Sequence, residues 1–95
     1  MAIQVKARDI LKKIDKCKGN IIGVTVRGCG SQWVRLIDAK IVRGHVEFTV
    51  KMITHNASKG IKKVRAKPET IISYQSLDGF LRWCKMYDIE SNHEF

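Results

Sequence analysis

Residues 45–53 alternate in side-chain character, and this period of two fits a strand with one covered face and excludes a helix. Val46, Phe48, Val50 and Met52 point one way; Glu47, Thr49, Lys51 and Ile53 point the other. An antiparallel sheet with one wet face produces this pattern. The neighbouring segments extend it. Residues 21–27 are rich in β-branched side chains and read as a strand. Gly28-Cys29-Gly30-Ser31 reads as a turn, and residues 32–42 as a longer strand. That strand is expected to carry Trp33, Arg35, Ile37, Ala39 and Ile41 on one face. Arg43-Gly44 is a tight connection. After a loop at 55–60, residues 61–67 form a fourth strand, ended by Pro68, which cannot donate to a ladder. Residues 70–74 supply a short fifth strand.

Helices are expected at both ends. Ala7, Ile10, Leu11, Ile14 and Cys17 line one face of a helix over 5–17, closed by the basic turn and glycine of Lys18-Gly19-Asn20. Ser76 caps a helix over 77–88 whose buried stripe is Leu77, Phe80, Leu81 and Cys84, with Tyr87 as a candidate further member. The fold class is therefore α+β. An antiparallel sheet of four strands, or five with 70–74, is flanked by an N-terminal and a C-terminal helix in the order α-β-β-β-β-(β)-α. Both helices are expected on one face of the sheet, leaving the other in water. Residues 1–95 read as one compact basic domain with a flexible tail at 89–95.

The 95 residues carry 18 Lys or Arg against 9 Asp or Glu, a formal charge of +9. A positive excess this large in a small chain attracts polyanions. The charge is unevenly placed. Residues 54–68 hold five basic and no acidic groups (+5), while residues 69–95 hold two basic and five acidic groups (−3). In an extended strand Lys63, Arg65 and Lys67 would project to one side, about 6.6 Å apart. Two readings meet here: an edge strand that uses lysines to block aggregation, and a contact surface for an anionic partner. The candidate nucleic-acid contacts are Lys59, Lys62, Lys63, Arg65 and Lys67, with Arg27, Arg35, Arg43 and Lys51 added from the sheet. Trp33, beside arginines, can stack a base or pack in a core, and its strand neighbours Ile37 and Ile41 favour the core. Trp83 and Tyr87 fall beside the stripe of the last helix and are candidates for a protein contact.

Enzyme chemistry finds little support. Cys17, Cys29, Cys84, His45, His55 and His93 show neither C-x-x-C nor H-x-x-x-H spacing, so no metal or other cofactor is expected. Asp38 and Glu47 on adjacent strands resemble a metal-dependent nuclease pair, but the lysine such a site needs two residues on is replaced by Thr49. A charged cross-strand surface explains the two acids better. Three widely spaced cysteines and an N-terminus without an apolar leader point to free thiols and a cytoplasmic location. No apolar run is long enough for a membrane span.

The order of elements resembles that of the double-stranded-RNA-binding domain. That resemblance implies a lysine cluster at the start of the last helix. This chain has Ser76-Leu77-Asp78-Gly79 there instead, which leaves that domain's phosphate grip without a counterpart.

The expectation is a small non-enzymatic regulator that binds DNA or RNA by phosphate neutralisation. The alternative is an adaptor or inhibitor module that docks on an acidic protein, such as a nucleic-acid-processing enzyme. A homodimer is compatible with either. A small nuclease or hydrolase is the least supported reading, for want of an acid, base or metal constellation.

Overall fold

The structure, a computed structural model, describes residues 2–26, 28, 30–53 and 60–86. Its elements are β1 (Ile3–Lys6), α1 (Ala7–Lys12), α2 (Ile14–Cys17), β2 (Ile21–Val26), β3 (Gly30–Val42), β4 (His45–Met52), β5 (Ile61–Ala66), β6 (Ile71–Gln75) and α3 (Leu77–Met86). The six strands form one sheet in the order β1-β6-β2-β3-β4-β5, with every pair antiparallel.

The expected four- or five-stranded order is therefore wrong in three respects. First, the chain begins with a strand. Residues 3–6 pair with β6, Ile3 opposite Tyr74 and Lys6 opposite Ile71, and Gln4 Nε2 donates to Ser73 Oγ at 2.9 Å. Four residues carry too little period to separate a strand from a first helical turn, so the distant partner decides.

Second, the N-terminal helix is broken at Lys13, whose φ of −111° and ψ of 29° leave helical geometry. The expected apolar face survives the break. Ala7, Ile10 and Cys17 are buried, and Leu11 and Ile14 pack against the same core. Lys6 provides no side-chain cap. The first N–H groups of α1 are instead satisfied by the turn before β6: Ala7 N–H donates to Thr70 O and Arg8 N–H to Pro68 O, both at 2.9 Å.

Third, the helices lie on opposite faces of the sheet. The larger core sits between one face and α1–α2 and holds Ile22, Val24, Val34, Leu36, Val46, Phe48, Val50 and Ile72. The sheet bends around this core and brings β5 back towards β2. The smaller core is on the other face, where Ile21 and Ile53 meet Phe80 and Cys84 of α3, with Trp33 and Leu77 at its margin. Neighbouring strand residues point to opposite faces. Ile21 and Ile22 are both fully buried, so β2 must be covered on both sides. Ser76 caps α3 as expected: Gly79 N–H donates to Ser76 Oγ at 3.0 Å, while Leu77 N–H donates to Asn20 Oδ1 at 3.1 Å.

The strand β3 contains a bulge. Leu36 lies opposite Val50 and Asp38 opposite Thr49, so Ile37 is an extra residue between them. The strand faces expected from simple alternation therefore exchange at this point. Trp33 and Arg35 lie on the α3 side of the sheet, while Ala39 joins the α1–α2 core. Ile37 and Ile41 are exposed and do not pack with Trp33. Gly30, expected in a turn, opens β3 with a φ of +75°. With six strands and helices on both faces, the resemblance in element order to the double-stranded-RNA-binding domain does not extend to architecture.

Candidate nucleic-acid interface

Beyond α3, the same face of the sheet is charged rather than apolar. Cross-strand pairing defines it. Arg35 lies opposite Lys51, Lys40 opposite Glu47, and Glu47 in turn opposite Arg65. Thr49 separates Asp38 from Lys63.

Glu47 is the centre of this surface. Its side chain is only 5% exposed, although the surrounding strand face is wet. Arg65 Nε donates to its Oε2 at 3.1 Å, and the Lys40 and Lys63 ammonium groups each lie 3.9 Å from its Oε1. The three cationic side chains are themselves 57–63% exposed, so long aliphatic stems can lie over the sheet while the charged heads stay in water. Three cations share one anion, so the cluster retains a positive excess. Asp38 is held by Lys18 at 3.9 Å, and its Oδ1 accepts the Ala39 N–H at 2.9 Å beside the bulge.

Lys63 and Arg65 are therefore not the uncompensated row that their segment suggests, since Glu47 lies across from them on β4. Lys67 lies past the end of β5, exposed. Lys62 is opposite Val50 and so belongs to the other side of the strand, where it is exposed. Among the described residues, Lys51, Lys62 and Lys67 have no carboxylate within ion-pair distance. Arg35 is half-buried and its Nε donates to Gly19 O at 3.3 Å. Arg43 sits at the β3–β4 turn with a φ of +51°. Arg27, Lys59 and Tyr87 lie outside the described residues, as does the 89–95 tail. β5 is an edge strand of the sheet, the position at which lysines discourage edge-to-edge pairing.

Trp83 is 36% exposed on α3, with its ring 6.0 Å from Phe80. It widens the buried stripe as well as reaching solvent. Trp33 is half-buried and stacks obliquely on Phe80, with centroids 6.2 Å apart and planes at 53°. Its ring also lies against Gly23, where an added Cβ would come within 3.3 Å of Trp33 Cζ3. A groove of about 750 Å³ opens beside Trp33, where the end of β5 approaches the start of β6 and the β2–β3 hairpin. Sequence reasoning did not find it, because it joins segments some forty residues apart.

Cys17 and Cys84 are buried on opposite faces of the sheet. Burial raises the pKa of Tyr74, and its contact with Cys17 adds to this, while the hydrogen bond from Asn20 Nδ2, at 2.8 Å, opposes it. No metal-ligating cluster occurs among the described residues, and none of their helices is long and apolar enough to cross a membrane. Comparison of the chain with protein-family models, curated proteins and solved structures finds no match.

Proposed function

We propose that the protein binds nucleic acid through phosphate contacts made by the β3–β4–β5 face. One observation carries the reading: Arg35, Lys40, Lys51, Lys63 and Arg65 occupy one continuous strand surface whose counter-charges, among the described residues, are Asp38 and Glu47. Five cations against two carboxylates leave +3 on this surface, and each phosphate bound there releases condensed counterions. Such contacts position a polymer without reading its sequence.

The test is affinity for duplex DNA, single-stranded DNA and RNA as a function of salt. Log K is expected to fall linearly with log salt, and Lys63→Ala or Arg65→Ala to reduce the slope by about one each. No binding at low salt, or a slope near zero, overturns the proposal.

The second reading, a module that docks on an acidic protein, draws on the outer side of α3, where Met86 is 74% and Trp83 36% exposed. It predicts a partner that stays bound after nuclease treatment, and that loses affinity on Trp83→Ala.

A further inference from the structure

We propose that the groove beside Trp33 takes one unstacked nucleotide of a single-stranded nucleic acid. This rests on the nucleic-acid reading above and gives it a polymer type. The groove's volume, about 750 Å³, falls in the range of small-ligand sites and exceeds what one base needs.

Its lining matches the parts of a nucleotide. Trp33 brings an aromatic side chain to the lining, and the hydroxyls of Thr25 and Ser73 offer hydrogen bonds to base or sugar. Arg65 and Lys67 bring positive charge from the end of β5, with His45 beside them. Among the described residues that line the groove none is acidic, although Glu47 and Glu69 are close in sequence to members of it. Arg65 belongs to both the groove and the Glu47 cluster, so one phosphate backbone can pass from the groove onto the cationic strand face. The bare Cα of Gly23 leaves room for the Trp33 ring, which an added Cβ would approach to 3.3 Å.

A duplex cannot use this site. Its bases are paired and stacked, so it presents phosphates to the rim and nothing to the interior, whereas a single strand can splay out a base and stack it on an aromatic side chain.

The experiment uses the full chain with Trp83→Phe, which leaves Trp33 as its one tryptophan. A short oligothymidylate and a matched duplex are titrated at equal low salt, reading Trp33 fluorescence and affinity. Saturable quenching by the single strand is expected, with little change on duplex binding. Lys67→Ala and Thr25→Leu both alter exposed positions. Each is expected to weaken single-strand binding at least about fivefold more than Lys12→Ala, an exposed change on α1. If both polymers bind equally tightly with equal quenching, or the groove variants bind no more weakly than Lys12→Ala, the groove assignment fails and the phosphate-binding face stands. If neither polymer binds, both fail.

Discussion

Arg65 Nε donates to Glu47 Oε2 at 3.1 Å across the β4–β5 ladder, and this bond joins a well-buried carboxylate of the cationic face to the edge strand. The carboxylate has two opposed effects. It holds three cations in register, and it cancels part of the charge that would meet a phosphate. Glu47→Gln keeps the shape and removes the charge. Stability is expected to fall by about 1–2 kcal/mol in urea unfolding. That is less than for a fully buried pair, because the released cations are 57–63% exposed and hydrate readily. Affinity for nucleic acid is expected to rise in the same variant, with a steeper salt dependence. A variant that loses stability and affinity together would show that Glu47 orders the binding surface rather than masking it.

Gly23 has a packing role rather than a conformational one. An added Cβ would meet the Trp33 ring at 3.3 Å and Ser73 Cβ at 3.4 Å. Gly23→Val is expected to displace the indole and cost about 1–3 kcal/mol by overpacking. Urea unfolding gives the cost, and the Trp33 emission spectrum gives the displacement. An unchanged spectrum would contradict the contact.

Tyr74 ties the stability of the fold to alkaline pH. Its pKa is raised in the folded protein, chiefly by burial, so the neutral phenol is favoured on folding. The contribution is complete below the unfolded value of about 10 and is lost as pH rises through the folded value. Stability of the parent should therefore fall more steeply above about pH 10 than that of Tyr74→Phe. With Tyr87→Phe, Tyr74 is the remaining tyrosine, and its ultraviolet titration should lie above that of the urea-unfolded chain.

Asn20 joins three elements through one side chain. Its Nδ2 donates to the Tyr74 hydroxyl at 2.8 Å and to Lys16 O at 3.3 Å, and its Oδ1 accepts from Leu77 N–H at the start of α3. Asn20→Ala removes all three bonds and is expected to cost about 2–3 kcal/mol, at roughly 1 kcal/mol each. Ser76→Ala removes only the cap to Gly79 N–H and should cost about 1 kcal/mol. A thermal melt of the two variants ranks them, and the reverse order would contradict the junction role of Asn20.

Sequence alone determined what depends on local period and end chemistry. The alternation from Val46 to Met52, the apolar face Ala7–Ile10–Leu11–Ile14–Cys17 and the Ser76 cap are all visible within a few residues, because strand pleat, helical turn and capping bond are short-range. The cationic excess near position 63 is equally local. Tertiary structure alone decided the rest. Residues 3–6 become a strand only because β6, some seventy residues later, offers a ladder. The bulge at Ile37 moves Ala39 to the opposite face from Trp33, and nothing in the β3 sequence marks it. The Glu47 carboxylate meets Lys63 and Arg65 only through the β4–β5 register. Partner choice, register and bulges are set by contacts between distant segments, whereas a periodic pattern records only which sides of one segment avoid water.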